Sequence, residues 1–329
     1  MRRNRDEFKD SFFDSHMHFG IMLSALFDDK MPFCQNITGI IDVLGTSMIN
    51  KGIVFPFPND FIGNEVLGTS SKNMGVRNVF EEIPYYMQNK RLLLEVEKIS
   101  KQEILPFLMC SVRYGIDAQI QFFKECAENR CMYGLKYYAD SDNIPLREFI
   151  RYGENIIRFL IEYDLPIIFH TSANTVINNG GISYPDDILD IARLYPELRI
   201  CIAHMAHFSK SVFNKLQYNE FPNVYLDTSP FLHLCNIRNV VHSKRCLDLP
   251  YDNPAIVLEQ LINLIPNNII WGSDYPFNFT CNLDNPTHDK EYNKYTYFQN
   301  INILKTLSHD KIKKIASVNT LNFLFGKEI

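Results

Sequence analysis

The 329-residue sequence has no Cys-x-x-Cys pair, no run of 18 apolar residues, no basic stripe and no glycine-rich phosphate loop. Each absence excludes something. The eight cysteines stand at positions 34, 110, 126, 131, 201, 235, 246 and 281, and without paired spacing they do not make a structural zinc ribbon. Cys110 and Cys201 fall in apolar runs, where a reduced thiol packs as a small hydrophobe, so a reducing, cytoplasmic location is expected. Without a long apolar run no membrane-spanning helix is expected. The charged start (Arg2, Arg3, Arg5, Asp6, Glu7) is unlike a secretory signal. A net charge of -5 without clustered Lys and Arg argues against a nucleic-acid partner. Neither G-x-G-x-x-G nor G-x-x-x-x-G-K-[ST] follows an early apolar run, which sets aside the nucleotide-binding open sheets. There is no internal repeat and no low-complexity tract.

What is present is ordinary globular composition, 46% hydrophobic and 22% charged. A chain of this length buries a core large enough to need no disulfides. Eight short apolar runs read as strands: Phe12–His18, Gly52–Phe57, Ile104–Val112, Met132–Tyr138, Pro166–Thr171, Arg199–Ala206, Val224–Ser229 and Ile269–Asp274. Most are continuous rather than alternating, as in parallel strands covered on both faces. Helical patterns lie between them at Tyr85–Lys101, Ile116–Asn129, Leu146–Tyr163, Pro185–Leu194, Ser209–Asn219 and Pro254–Leu264, with a closing helix at Asp310–Phe325. Strands alternating with helices imply βαβ units. Eight repeats predict a single (β/α)8 TIM barrel over residues 1–329, with its core at about 12–325. Four long connections, Phe19–Asn36, Pro58–Pro84, Pro230–Asn253 and Tyr275–Gln299, would surround the C-terminal mouth, where barrel active sites lie.

The chemistry-bearing residues cluster at strand ends. Asp14-Ser15-His16-Met17-His18 closes the first run, and strand alternation predicts that Asp14, His16 and His18 share a face. Two converging imidazoles suit a divalent metal, although a lone His-x-His is common by chance. His170, His204 and Asp274 lie at the ends of the fifth, sixth and eighth runs. In a barrel these ends meet at one mouth, and polar groups there are costly to bury without a shared purpose. Three histidines and a carboxylate leave room for water around a metal. Lys136 ends the fourth run, Asp227 the seventh, and Arg113 follows the third. Arg113 reads equally as a carboxylate clamp or as a surface salt-bridge partner. Asp227 reads as an acceptor for a ligating histidine. His207, His233, His242, His288 and His309 read as bystanders, with His233 close enough after the seventh run to reach the pocket. Phe57, Tyr275 and Phe277 are candidate pocket walls.

The succession DSHMH, GLKYY, IIFHTS, IAHMA, YLDTSP and WGSDYPF resembles the amidohydrolase superfamily. It is most similar to the amidohydrolase-2 branch, which includes the aminocarboxymuconate semialdehyde decarboxylase-like enzymes. The resemblance runs over about residues 12 to 325. It implies a metal site of His16, His18, His170 and Asp274, with Asp274 also the proton acceptor and His204 contacting substrate or the reactive water. It implies one divalent ion, zinc by default, with manganese or iron also suited to the donors. Lys136 then contacts substrate; the alternative is a carbamylated Lys136 bridging two metals, with His204 a ligand of the second. The implied reaction is hydrolysis of an amide, ester or lactone carbonyl on a small, carboxylate-bearing substrate. A nonoxidative decarboxylase on the same scaffold is the alternative; such members often hold the substrate carboxylate with an arginine, for which the resemblance offers Arg113 and Arg77. A barrel that only binds is a third reading. A homodimer is the base-rate expectation.

Overall fold

The computed structural model describes residues 5–21, 34–58, 83–99, 103–276 and 289–327, with backbone alone at 34 and 289–296. Eight strands run parallel in sequence order: β1 (Phe13–Ile21), β2 (Lys51–Pro56), β3 (Ile104–Cys110), β4 (Gly134–Tyr137), β5 (Ile167–Phe169), β6 (Ile200–Ile202), β7 (Val224–Asp227) and β8 (Ile269–Ile270). Beyond β8 the chain continues beside β1. Ser15 N donates to Trp271 O at 2.8 Å, Asp274 N to His16 O at 2.8 Å and His18 N to Tyr275 O at 2.8 Å. These bonds close the ring, so the fold is the expected (β/α)8 barrel. A two-residue strand, Cys34–Gln35, adds antiparallel to the end of β1.

Strand parity divides the apolar side chains into two cores. Phe13, Ile53, Phe55, Leu105, Phe107, Ile168, Cys201, Tyr225 and Ile270 fill the barrel interior, sealed below by Phe8, Leu321, Phe323 and Leu324. Their neighbours of opposite parity, such as Val54, Leu108, Leu135, Ile167, Ile200 and Leu226, pack under the helices. Each fully buried side chain of this size stabilises the fold by roughly 1.5–3 kcal/mol. Lys136 has the interior parity, between Leu135 and Tyr137 of the outer core. A Cβ on Gly134 would stand 2.3 Å from the Phe107 ring and 2.6 Å from Pro166 O, so the strand carrying Lys136 needs glycine there to seat.

The helices form largely where periodicity placed them: Tyr86–Glu97, Ile116–Glu128, Phe149–Glu162, Asp186–Leu194, Lys210–Gln217 and Pro254–Leu264. Helices also form where no helical pattern was read, at Ile37–Gly45, Ala139–Asp142 and Ala173–Asn178, and two fall in stretches read as connections, Asp289–Leu304 and Phe231–Val240. The last shows that Pro230–Asn253 is not a plain loop. Arg77, Phe277 and His288, with most of the other three long connections, lie outside the described residues. Among the described residues no helix is long and apolar enough to cross a membrane.

Two features depart from simple alternation, and both aim functional side chains. In β1 the register with β2 shifts between Asp14 and Met17, where three steps on β1 face two on β2. This bulge re-aims the strand. His16 and His18 face the interior, but Asp14 does not share their face. It turns to the outer layer, where its charge acts on the phenol of Tyr297. There Oδ1 accepts from Ser273 N at 2.9 Å and His16 N at 3.1 Å. After β6, five consecutive non-glycine residues, His204 to Phe208, have φ between 45° and 61°. Each such left-handed residue costs about 1–2 kcal/mol, and burial of all five holds the turn. It is braced from outside by Lys210 N on Arg245 O (2.8 Å) and Leu247 N on Phe208 O (2.9 Å). The predicted sixth strand therefore stops at Ile202 rather than Ala206.

Candidate metal centre

The ligand atoms of His16, His204 and Asp274 lie within 4.8 Å of one another, and all three residues are buried. His16 Nε2 stands 3.1 Å from Asp274 Oδ1, yet makes no hydrogen bond. His18 Nε2 lies 3.0 Å from the same oxygen. Two imidazole nitrogens thus converge on one carboxylate oxygen. His18 is fixed by stacking on Phe57 at 4.6 Å and by an edge contact with Phe55 at 4.7 Å. Asp274 is held with φ 63°, its N–H on His16 O.

Asp227 organises the cluster from behind. One of its oxygens, Oδ2, lies 2.8 Å from His16 Nδ1. The other accepts from His204 N at 3.0 Å, Ser229 N at 3.1 Å and Ser229 Oγ. The His16 bond places a proton on Nδ1 and leaves Nε2 turned to the cluster. His204 Nδ1 lies 2.9 Å from Ser229 O, an acceptor only, so its Nε2 is likewise bare. That Nε2 is met at 2.9 Å by His170 Nδ1. His170 therefore stands beside His204 rather than among the three clustered residues. It stacks on Tyr138 at 4.0 Å, and its Nε2 lies 3.9 Å from Asp140 Oδ2.

Charge follows burial and partners. Burial pushes the imidazoles of His18 and His204 down to about 4, with Asp274 opposing the shift in both. His170 is driven well below its ordinary value, by burial and then by His204. His16 is the exception: burial and Lys136 would lower it, but Asp227 and Asp274 outweigh them and raise it. Burial alone would raise both carboxyls, yet His16 and its neighbours hold Asp227 and Asp274 well below the usual carboxylate range. Two buried carboxylates thus flank His16, whose positive charge holds both ionised. An ionised carboxylate, bare imidazole nitrogens and a buried Nε2 without a hydrogen bond fit a divalent metal ion.

Lys136 is 1% exposed, and its Nζ has no hydrogen-bond partner. It lies 4.7 Å from the centre of the Phe55 ring. Burial lowers its pKa to about 8 against the pull of Asp227 and Asp274. Arg113 is exposed and its charge acts on Asp142, away from the cluster. His233, His242 and His309 are exposed. His207, read as a bystander, is buried instead, its ring 5.7 Å from that of His204 and its Nε2 2.9 Å from Thr171 O. The sequence hides this because the left-handed turn, not a strand or helix period, brings the two rings together.

The amidohydrolase family model matches residues 115–315, more than half of the chain. No curated protein matches it. Among solved structures, the fold is similar to a protein from Pseudomonas putida named for 2-pyrone-4,6-dicarboxylic acid hydrolase, at TM-score 0.58 and 14% identity, covering 97% of this chain and 98% of that one. A 2,6-dihydroxybenzoate decarboxylase gives TM-score 0.59 and 12% identity over 95% and 99%. An amidohydrolase from Burkholderia multivorans with bound zinc gives 0.58 and 11% over 97% and 100%. These likenesses concern the fold, while the family match covers the strands and turns that carry Lys136, His170, His204, Asp227 and Asp274: the chain belongs to the amidohydrolase family.

Proposed function

We propose that the chain is a metal-dependent hydrolase acting on an amide, ester or lactone carbonyl of a small, carboxylate-bearing substrate. The convergence of His16, His204 and Asp274 within 4.8 Å carries this reading. His16, His18 and Asp274 would hold one divalent ion, zinc by preference. The hydrogen-bonded His170–His204 pair beside them supplies the third imidazole, with His170 as the ligand. When bound, such an ion polarises a carbonyl and lowers the pKa of water toward 7. Asp274, ionised and beside the reacting position, takes the proton of the attacking water and passes it to the leaving group. His204, whose Nδ1–H donates to Ser229 O, keeps Nε2 as an acceptor that orients the attacking water. Asp227 keeps His16 in the tautomer a ligand needs. Lys136, buried and without a hydrogen-bond partner, offers a positive charge to the substrate carboxylate.

Fold likeness is equal toward a hydrolase and a decarboxylase, so the reaction itself is the test. Lactones, amides and esters bearing a carboxylate, together with hydroxybenzoates, are incubated with zinc-loaded protein, and acid and carbon dioxide are measured. Acid release that stops with a chelator is expected. Carbon dioxide release without acid would replace hydrolysis by nonoxidative decarboxylation.

A further inference from the structure

Helix Phe231–Val240 turns Phe231, Leu234, Cys235 and Arg238 inward, the spacing of one helical face. Three of these are uncharged core residues. The fourth is an arginine only 2% exposed, and neither Nη1 nor Nη2 has a hydrogen-bond partner. Among the described residues no carboxylate pairs with it. The groups near enough to feel its charge are His207, Cys246 and Tyr251. All three are neutral at pH 7: burial lowers the imidazole to about 3 and raises the thiol and the phenol. A guanidinium does not deprotonate in proteins, and an unpaired buried charge is among the costliest groups a fold can hold.

The helix that carries this charge packs against the turn that carries His204. Phe231, on the same helical face, packs 6.5 Å from Phe208, the last residue of the left-handed turn. That turn also carries His207 and His204, whose rings are 5.7 Å apart. Among the described histidines, His207 is the one on which the Arg238 charge acts. The other cations differ from it. Lys136 stands within the charge of two carboxylates, Asp227 and Asp274, and Arg113 is exposed, its charge acting on Asp142.

We propose that Arg238 is a carboxylate-binding residue, its Nη1 and Nη2 taking both oxygens of a small carboxylate next to His207. A planar guanidinium with two free edge nitrogens matches that geometry. The assignment of this carboxylate to the substrate rests on the hydrolase reading above; the binding itself does not.

Thermal unfolding of the metal-free protein tests it, with chloride replaced by acetate or succinate at constant ionic strength. Wild type is expected to gain several degrees, saturably, in carboxylate. Arg238→Met, which keeps the volume and removes the charge, is expected to lose this gain while unfolding no earlier than wild type in chloride. Arg238→Lys keeps the charge without the fork, and a roughly tenfold weaker carboxylate dependence is expected of it. A wild type without the gain, or either variant with the full gain, overturns the proposal. Zinc binding is measured on the same samples. Its absence with the gain intact would defeat the hydrolase reading and leave the carboxylate site standing. On any compound turned over, a higher KM at unchanged kcat in Arg238→Lys marks the substrate's own carboxylate, whereas activation of wild type by succinate marks a free one.

Discussion

Replacing Asp227 by asparagine separates a metal-organising carboxylate from a merely buried one. The carboxylate meets His16 Nδ1 on one oxygen and His204 N, Ser229 N and Ser229 Oγ on the other. Asparagine has one acceptor oxygen, and its amide nitrogen only donates. Whichever way the amide is turned, Nδ2 faces either the His16 Nδ1–H or the two backbone N–H groups. One charge-assisted hydrogen bond is lost and a donor is left unmet, a destabilisation of about 1.5–3 kcal/mol. Without the negative charge His16 also becomes a poorer donor to a metal. Loss of such a supporting carboxylate weakens metal binding by about 10–100-fold, equivalent to about 1.4–2.7 kcal/mol. Competition against a chromophoric chelator near pH 7.5 reads the affinity, and thermal unfolding confirms the fold. A folded Asp227→Asn protein that binds zinc as tightly as wild type would refute the reasoning, because His16 would then not be a ligand steered by Asp227.

Two further outcomes follow from the same geometry. A Cβ at Gly272 would lie 2.9 Å from His16 Cβ and 3.0 Å from Ser15 Oγ. Gly272→Ala should therefore push the β8 segment off β1, cost about 1–3 kcal/mol and lower zinc content; an unchanged melting temperature would show that the strands yield freely. The pH dependence has opposite signs within the cluster. His18 and His204, lowered from 6.5 to about 4, add stability that is complete above pH 6.5 and lost as pH falls toward 4. His16, raised above 6.5, adds stability present below pH 6.5 and lost as pH rises through its folded value. Zinc must displace that His16 proton, so calorimetry near pH 6.5 in buffers of different ionisation enthalpy should show about one proton released per ion. No proton release would contradict the charge assignment.

Much of this site is legible in the sequence because barrels gather strand ends. His16, His18, Lys136, Asp227 and Asp274 each sit at or just beyond an apolar run, and parity alone sends Lys136 and Asp227 inward. Three things are not legible. The β1 bulge inserts a residue between Asp14 and Met17, so period-two alternation misplaces Asp14 while still giving the right face for His16 and His18. The left-handed turn costs energy at every residue and has no glycine to announce it, which hides His207 and cuts β6 short. Arg238 sits in a stretch whose turn residues read as loop. Its burial shows only in the helix, whose inward face holds a cation with no carboxylate paired to it among the described residues.

The most direct test of the central claim is metal stoichiometry by elemental analysis after zinc loading, on wild type, Asp274→Ala and Lys136→Met. About one ion per chain is predicted in wild type, little in Asp274→Ala, and an unchanged single ion in Lys136→Met. About two ions in wild type, falling with Lys136→Met, would contradict the mononuclear account and make Lys136 a bridging group. No bound ion in wild type after exposure to zinc or manganese would contradict the metal-dependent reading altogether.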